Sequence, residues 1–421
     1  MRSLKRRFGR CLPFVVILCL PLACQTAPFD ALQGPSAAGP RTETPVLSWT
    51  VADDPMAFRY EFLERFRTIE LYRGNPATGT WNHHTMIAYI DGVVYASWDQ
   101  HVRDENAAGQ HGLLRRSHDK GRTWTAVEEL FPPLADKVPA DDPYPHVRFQ
   151  SNNGFVVVDG IIYAVTDVAE WQRPGAQKAR PRTNLGRMAR AVHPEGGLGD
   201  IFWLLEEAPR PVPGYPKIPV GDPRLVKQIN DIFADPGNAP QLQFGRGFPP
   251  ADDNHAVGEP VAWQLDDGTW VRIFRDNGLR GLSRLRDREA SKSRRNYVSF
   301  SFDDGKTWTA PTRTSFPDAC GRSSAGRLPD GQYYVINAAW PMPNKAGQGR
   351  SLQAISLSRD GLIFDRMAVI QFPPPARRYE GRSKAPGFQA HSVVVGDHLL
   401  VLTSVNKEDI QLKRIPLSVL P

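Results

Sequence analysis

The chain has 421 residues, of which 41% are hydrophobic and 23% charged, with a formal net charge of +7. This balance is typical of a globular protein and excludes a disordered chain, a collagen and a coiled coil. The 35 glycines and 38 prolines indicate many short strands and turns, because neither residue is comfortable inside a helix.

The first 23 residues have the layout of an export signal. Five basic side chains lie within the first ten residues, and a mostly apolar run over residues 11–23 follows them. This run is too short to span a bilayer. Because the five positive charges leave with the signal, the remaining chain is nearly neutral, and we expect no nucleic-acid partner.

Residues 20–24 read Leu-Pro-Leu-Ala-Cys and resemble the lipobox of bacterial lipoproteins, in which the cysteine is acylated after cleavage. The resemblance implies a lipid anchor at Cys24, a linker over residues 24–44 and a periplasmic or cell-surface location. Simple secretion is the alternative. Cys320 is the one cysteine beyond this region, so we expect a large core, rather than internal disulfides, to stabilise the fold.

A hairpin unit recurs along the rest of the chain. Each copy has an apolar strand, a tight turn and a second apolar strand, and the turn glycines are Gly92, Gly160, Gly268, Gly331 and Gly396. Glycine supplies the positive φ that a two-residue turn requires. The wide interval between the second and third copies predicts a degenerate hairpin over residues 191–205. Six such hairpins predict an all-β fold, a six-bladed β-propeller of four-stranded blades over residues 45–421.

A second motif, Ser-x-Asp-x-Gly-x-Thr-Trp, occupies residues 117–124 and 301–308, and a shorter copy lies at residues 358–364. Each copy follows its hairpin glycine by a similar interval, which places it in the turn between the third and fourth strands of a blade. The Ser and Asp oxygens are suited to accept hydrogen bonds from the backbone of that turn. We therefore interpret Asp119, Asp303 and Asp360 as structural residues rather than catalytic ones.

Two segments lie outside these repeats. The apolar spacing over residues 221–240 predicts a short inserted helix. The arginine-rich run over residues 280–295 predicts a solvated outer loop, and attraction of an anionic glycan is its alternative function.

The Ser-x-Asp motif resembles the Asp-box, or BNR repeat, of sialidases, which are six-bladed propellers. Sialidases bind a carboxylate with three arginines, attack with a tyrosine that a glutamate activates, and use an aspartate as acid/base. The resemblance implies that Glu259 is this glutamate and that Arg275 and Arg322 are the second and third arginines. The first arginine and the tyrosine are absent, since their places read Asn-His-His-Thr over residues 82–85 and Gln-Ala-His-Ser over residues 389–392.

Hairpin geometry predicts a site without reference to any family. The start of the first strand and the end of the second lie at the same edge of a blade, so their side chains ring one mouth of the central channel. Polar residues concentrate at these positions, which is typical of a sugar-binding cleft: His83, His84, Asp99, Gln100, His101, Asn152, Asn153, Asp167, Glu259, Arg275, Asp276, Arg322, Asn337, His391 and Asn406.

We predict a sialidase-like glycoside hydrolase that acts on a glycan, expected to be acidic, outside the cytoplasm. In this hypothesis Glu259 or Asp99 is the general acid/base, and one of His83, His84 and His391 replaces the tyrosine. Adjacent residues of a strand point to opposite faces, so only one of the first two histidines is expected to face the channel.

Arg275 and Arg322 are predicted to bind a substrate carboxylate, and Asn152 and Arg148 to bind other substrate groups. A purely structural ion pair is the alternative interpretation of Glu259 and Arg275. A solvated loop is the alternative interpretation of residues 99–105. A polysaccharide lyase, with a histidine base and an arginine-neutralised uronate, is the second function hypothesis. A non-catalytic glycan-binding lipoprotein is the third.

The expected partners are a carbohydrate and, through an acylated Cys24, a membrane. We expect a monomer without a cofactor. No metal-ligand spacing is present in the sequence, so we also expect no metal.

Overall fold

The five predicted hairpins all form in the computed structural model, and their turn glycines have φ between +59° and +88°. The structure describes residues 44–51, 61–135, 146–172, 183–212, 214–235, 248–282, 287, 290–339, 350–380 and 387–421. The predicted signal, its Cys24 and most of the linker over residues 24–44 therefore lie outside the described residues.

Nearly all regular elements of the described part of the chain are β-strands. In chain order these are β1 (Ser48–Trp49), β2 (Arg67–Arg73), β3 (Trp81–Ile90), β4 (Val93–His101), β5 (His111–Ser117), β6 (Glu128–Phe131), β7 (His146–Val158), β8 (Ile161–Gln172), β9 (Thr183–Val192), β10 (Phe202–Trp203), β11 (His255–Gln264), β12 (Trp270–Leu279), β13 (Arg295–Ser301), β14 (Thr312–Pro317), β15 (Ser324–Arg327), β16 (Tyr333–Asn337), β17 (Gln353–Ser358), β18 (Ile363–Gln371), β19 (Phe388–Val395), β20 (His398–Val405) and β21 (Asp409–Pro416).

These strands form five sheets, which are the blades of a β-propeller. Blade one has the order β3-β4-β5-β6, blade two β7-β8-β9-β10 and blade three β11-β12-β13-β14. Blade four is β15-β16-β17-β18 with β1 added at its outer edge, and blade five is β19-β20-β21-β2. The first strands of adjacent blades contact one another, β19 with β3, β3 with β7, β11 with β15 and β15 with β19, so they are the innermost strands around the channel.

The prediction of six blades is wrong, because the described residues contain five. Residues 191–205 form no hairpin of their own; they contain the end of β9 and all of β10, the third and fourth strands of blade two. The glycines that suggested a hairpin, Gly196 and Gly197, have φ of 112° and 89° and lie in the turn between these two strands. This turn corresponds in position to the Asp-box turns of other blades.

The predicted inserted helix accounts for part of the wide interval. Helix α1 spans Pro223–Ala234, and its N-cap residue Asp222 accepts hydrogen bonds from the backbone N–H groups of Arg224 and Leu225. Its buried residues Val226 and Ile229 pack on blade two. Across the described ranges, no helix has the length and apolarity needed to cross a membrane.

The ring is closed by pairing residues from opposite ends of the described chain. Strand β2 pairs antiparallel with β21, which makes an early segment the outer strand of blade five. Strand β1 pairs parallel with β18, and the backbone N–H of Trp49 donates to Ser315 Oγ of blade three at 2.8 Å. These early residues therefore join blades that form later in the sequence.

Apolar side chains fill the spaces between neighbouring blades. One cluster joins blades three and four through Trp263, Phe300 and Phe364, and another joins blades five and one through Trp98 and Leu400. Burial of such large side chains stabilises a fold by about 1.5–3 kcal/mol each. The packing holds the innermost strands around the channel.

The Asp-box turns have the predicted geometry. In blade one, Ser117 Oγ accepts from the N–H of Gly121 at 2.8 Å, and Asp119 Oδ1 accepts from the N–H of Thr123 at 2.8 Å. Asp303 and Asp360 make corresponding bonds in blades three and four. These carboxylates serve their own turns, as the structural interpretation requires.

Candidate functional site

The predicted mouth exists as a shared edge of the blades. On this edge His83 pairs with Asp99, Ser151 with Asp167, and Gly258 with Arg275. The first strand thus starts where the second strand ends in each blade, and polar side chains from different blades meet around the channel.

The first strands of blades one, two and three bulge at this edge. The register shifts after His83, Asn152 and Gly258. Within the bulges His84 has φ of 53° and Glu259 has φ of 49°. Left-handed backbone is strained for residues other than glycine, and such strain clusters at functional sites because packing must maintain it.

The bulge explains why the expectation of opposite faces for His83 and His84 is wrong. Both side chains are buried, and their ring centroids lie 4.9 Å apart. The alternation of side chains holds for a regular strand, but the left-handed residue interrupts it. Both imidazoles therefore belong to the same group of polar side chains.

His84 lies between two carboxylates. Its Nδ1 is 2.7 Å from Asp99 Oδ2 and its Nε2 is 3.2 Å from Glu105 Oε1, and Lys407 Nζ is 2.6 Å from the other oxygen of Glu105. Burial opposes charge on His84, but the two carboxylates outweigh it and raise the pKa of the imidazole. His84 is thus suited to be a fixed cation. Asp99 is its hydrogen-bond partner, and burial raises the pKa of Asp99 despite the histidine.

His83 has the opposite character. Its Nδ1 lies 2.8 Å from Ser404 Oγ, and Ser404 donates its own proton to the carbonyl of Asn82 at 2.9 Å. His83 must therefore donate from Nδ1, which leaves Nε2 with a lone pair. Burial first, then the charges of Lys407 and His84, hold the pKa of His83 well below its ordinary value. A neutral imidazole with a free lone pair is a competent base.

Asn152 and His391 support these residues. Asn152 Nδ2 donates to the carbonyl of His84 and to Ser97 Oγ, each at 2.9 Å, while its backbone N–H donates to Asp99. His391 Nδ1 accepts from the N–H of Ile87 at 3.0 Å, from blade five to blade one. Asn152 was predicted to bind substrate and His391 to take part in catalysis, but these contacts engage both side chains within the protein.

A second group contains the anion-binding candidates. Glu259 Oε1 lies 2.7 Å from Arg275 Nη1, and both side chains are partly exposed, at 15% and 22%. Glu259 Oε2 has no hydrogen-bond partner among the described residues. Arg275 Nε donates to Asn277 Oδ1 at 2.9 Å. The contacts seen among the described residues use Nε and Nη1 of Arg275.

Arg322 connects the two groups. Its guanidinium is buried and reaches from blade four to blade one, where Nη1 lies 3.4 Å from the carbonyl of Thr85 and 3.1 Å from Met86 Sδ. Burial lowers the pKa of Arg322 to about 10, against the charge of nearby Glu259, so the group stays cationic at neutral pH. The structure thus brings Arg275, Arg322 and Glu259 together beside the histidine strand.

Arg148 belongs elsewhere in blade two. Its Nε lies 2.8 Å from Glu170 Oε2, its Nη2 donates to the carbonyl of Arg210 at 2.9 Å, and the guanidinium stacks over the ring of Tyr215. These contacts account for its burial. They do not bring it to the arginine and histidine groups.

A buried carboxylate in the second strand recurs in three blades. Asp99 binds His84, Asp167 binds Asn153 and Arg187, and Asp276 binds His255. The recurrence indicates that part of this polar rim maintains the bulged strands.

Asp318 is a member of the mouth that the sequence reasoning missed. It follows β14 and precedes β15, is fully buried, and accepts no hydrogen bond from any described side chain. Burial raises its pKa to about 7, although Arg350, Arg275 and two nearby backbone N–H groups favour the ionised form. Its position just before the first strand of a hairpin could have placed Asp318 at the mouth from the sequence. Lys407 and Glu105 carried no comparable signal.

Some predicted segments and other features lie outside the mouth. Part of the arginine-rich run over residues 280–295 lies outside the described residues. Among the residues that are described, no group of His, Cys, Asp and Glu side chains is arranged to hold a metal ion. A surface cavity lined by Asp266, Arg327 and Asp330 lies at the hairpin turns of blades three and four, at the edge opposite the mouth.

Two protein families match the chain. A family described as a BT_1020-like N-terminal beta propeller matches residues 67–236, which contain blades one and two. A family described as a BNR repeat-like domain matches residues 251–381, which contain blades three and four. The chain thus has a β-propeller fold, and residues 251–381 match a BNR repeat-like domain, as the Asp-boxes indicated.

Solved structures agree with this fold. A sialidase is 22% identical with a TM-score of 0.64, over 85% of this chain and 33% of that chain. The NanB sialidase from Streptococcus pneumoniae, in complex with 2-[(3-chlorobenzyl)ammonio]ethanesulfonate, is 10% identical with a TM-score of 0.51, over 85% of this chain and 71% of that chain. This chain spans about a third of the length of the first sialidase. No curated protein matches it.

Proposed function

We propose that the chain is a glycoside hydrolase that acts on an acidic glycan at the channel mouth. The observation that carries this proposal is the convergence of Arg275, Arg322 and Glu259 beside the buried histidines. Guanidinium groups bind carboxylates in a bidentate fashion, and the partly exposed Arg275 retains donors for such a bond.

Proton transfer at this site has two candidates. Glu259 keeps one carboxylate oxygen without a partner among the described residues, and His83 keeps a lone pair on Nε2. His84 and Asp99 neutralise each other, so their role in the proposal is to position the bulged strand. A carboxylate and an imidazole beside two arginines are the groups that hydrolysis of an acidic glycoside requires.

The test combines product analysis with one double variant. The purified protein is incubated with sialylated and uronate-containing glycans, and reducing ends are measured together with ultraviolet absorbance. New reducing ends without absorbance, lost in the double variant Glu259→Gln with His83→Ala, support hydrolysis. Glycan binding that survives in this variant, with no product from the unmodified protein, would instead identify a non-catalytic binding protein.

A polysaccharide lyase is the second candidate function, and the tautomer of His83 favours it. A neutral imidazole is suited to remove the proton beside a uronate whose carboxylate Arg322 neutralises. This elimination leaves a carbon–carbon double bond in the product, whereas hydrolysis does not. An unsaturated product that absorbs in the ultraviolet therefore separates the two reactions.

We also propose that the protein is exported and anchored through an acyl chain on Cys24. Its five early positive charges and the lipobox-like residues 20–24 support this location. Metabolic labelling with a fatty acid is expected to mark the protein, and Cys24→Ser is expected to abolish the label and release the protein from membranes. Labelling that persists in this variant would contradict the proposal.

A further inference from the structure

The turn between strands β20 and β21 of blade five brings a lysine to the histidines of blade one. The backbone N–H of Glu408 donates to the carbonyl of Val405 at 2.9 Å, which closes a β-turn. Its two central residues, Asn406 and Lys407, have φ of 56° and 57°. The carbonyl of Lys407 accepts from the N–H of Asn82 at 2.8 Å, so the turn is attached to the start of β3.

A lysine is unfavourable at the second central position of this turn. Turns with two left-handed central residues favour asparagine followed by glycine, because glycine has no Cβ to strain. Asn406 fits this preference and Lys407 does not. Strain of this kind persists where the surrounding structure maintains it, often at functional sites. The ammonium group is what glycine would not supply, and Lys407 Nζ lies 2.6 Å from Glu105 Oε2.

Glu105 connects this lysine to the histidine pair. The other oxygen of Glu105 lies 3.2 Å from His84 Nε2, and His84 Nδ1 lies 2.7 Å from Asp99 Oδ2. These four side chains form a row of alternating charges across blades five and one. The ring of His83 lies beside the row, with its centroid 4.9 Å from that of His84.

The hydrogen bonds of the mouth histidines assign a different proton arrangement to each. His84 has a carboxylate at both nitrogens, which suits the doubly protonated ring. His391 Nδ1 accepts from the N–H of Ile87, so its neutral ring carries the proton on Nε2. His83 Nδ1 donates to Ser404 Oγ, because that hydroxyl gives its own proton to a backbone carbonyl. Of these three described histidines, His83 alone has Nε2 as an acceptor.

The acceptor nitrogen of His83 is not enclosed. His83 Nε2 has no hydrogen bond to a described residue and is not among the described atoms that are buried without a partner, so solvent can reach it. The charged groups that face His83 are mostly cations: Lys407 from the turn, His84 from its own strand, Arg350 from the segment before β17, and the anion Glu105 from the loop after β4. A proton added to Nε2 is therefore opposed by the neighbouring charges.

We propose that Ser404 and Lys407 are positioning residues that keep His83 neutral, with its proton on Nδ1 and with Nε2 able to accept another. This inference depends on the proposed function for the source of that proton, which is water in hydrolysis or the carbon beside a uronate in elimination. The bond from the proton to that oxygen or carbon breaks, and its electron pair stays on the oxygen or carbon. Nε2 gives its lone pair to the new N–H bond, and exchange with solvent later removes the proton.

The pKa of His83 agrees with this role. Burial first, then the charge of Lys407, holds it well below its ordinary value. A base is active above its pKa, so we expect activity at acidic pH values where an exposed histidine is protonated. Removing the charge of Lys407 raises the pKa of His83, so the acid limb of the profile of kcat/KM against pH is expected to move to higher pH.

The first experiment observes the proton arrangement directly, by NMR of protein with isotopically labelled histidine nitrogens. The signals of His83 are those missing from His83→Gln. At neutral pH we expect Nδ1 to be protonated and Nε2 unprotonated, and in Ser404→Ala we expect the proton to be shared between the two nitrogens. A proton on Nε2 in the unmodified protein, or an arrangement that Ser404→Ala leaves unchanged, would overturn the inference.

The second experiment compares two lysines that both have left-handed backbone. In Lys407→Gly, which suits the turn, the titration of His83 and the acid limb are expected to move together by about one pH unit to higher pH. Lys407→Arg keeps the charge and is expected to move neither. Lys120→Gly is the control, since Lys120 is an exposed lysine with φ of 60° in the Asp-box turn of blade one. An unmoved titration in Lys407→Gly, or an equal shift in Lys120→Gly, would contradict the role of Lys407.

The inference and the proposed function can fail separately. If the unmodified protein forms no product from any acidic glycan, the proposed function fails, and the NMR titration still decides the proton state of His83. If product forms but the acid limb stays in place in Lys407→Gly, the function stands and the inference fails. Should Ser404→Ala not fold, as judged by its thermal melt, Ser404→Thr replaces it. Threonine keeps the hydroxyl, so we expect the proton to stay on Nδ1, and a proton on Nε2 would count against the role of Ser404.

Discussion

The Asp-box turns and the channel mouth both depend on aspartates but use them in opposite ways. Asp119 and Asp303 lie near the surface and bond to their own turns; the hydroxyl and N–H groups of Thr123 and Thr307 help to hold their pKa values at about 2. Asp99 and Asp318 are buried at the mouth, and burial raises their pKa values. A local carboxylate stabilises its turn, whereas a buried carboxylate destabilises the fold unless a partner or a function maintains it.

The largest expected effect comes from a change beside the buried carboxylates of the mouth. His84→Ala leaves Asp99 and Glu105 buried without their shared cation, so we expect the free energy of unfolding to fall by about 3–5 kcal/mol. Urea denaturation followed by circular dichroism measures it. His84→Asn tolerates the positive φ but supplies no charge, so it is expected to recover no more than about 1 kcal/mol. Full recovery in that variant would show that backbone strain, rather than charge, dominates.

Arg322 gives the next largest effect, on activity rather than stability. Arg322→Ala removes the cation that connects blades four and one, and we expect kcat/KM on an acidic glycan to fall by about 10²–10³-fold. Arg322→Lys keeps the charge but lacks the planar guanidinium, so its kcat/KM is expected to lie between those of the unmodified protein and Arg322→Ala. Arg359→Ala, an exposed arginine of the same blade, is the control. An unaffected rate in Arg322→Ala would remove this residue from the site.

Asp119→Ala tests the role of an Asp-box carboxylate in its own turn and has the smallest expected effect. It removes the acceptor of several turn hydrogen bonds, so we expect a loss of about 1–2 kcal/mol in stability with no change in activity. Because the pKa of Asp119 is about 2 in the folded protein, this stabilisation is present above pH 4 and is lost as the pH falls toward 2. His118→Ala in the same turn is the control. Equal acid sensitivity in both variants would contradict the assignment.

The difference between the two regions also explains what the sequence predicted. The hairpin glycines and Asp-boxes act through neighbours in sequence, so their turns were predicted correctly. A turn glycine does not reveal which two strands it joins, and Gly196 was therefore assigned to a sixth blade. Glu259 and Arg275 were predicted to lie together because hairpin pairing fixes their register.

The remaining features of the site depend on contacts between distant blades. Lys407 and Glu105 meet only when blade five lies beside blade one, and no motif marks either residue. The bulge at His84 depends on Asn152 of another blade, which holds the carbonyl of His84. Asp318 is unusual because it is buried and accepts no hydrogen bond from a described side chain, and neither property is visible in a sequence.

The pairing of β2 with β21 has a consequence for synthesis. During translation β2 emerges before any blade is made, and its partner strand emerges after all the others. The outer edge of blade five therefore stays open until the final strands leave the ribosome, and an unpaired edge is prone to pair with other chains. Ring closure should thus be the late, slow step in maturation, and a chaperone that shields β2 would raise the yield of active protein.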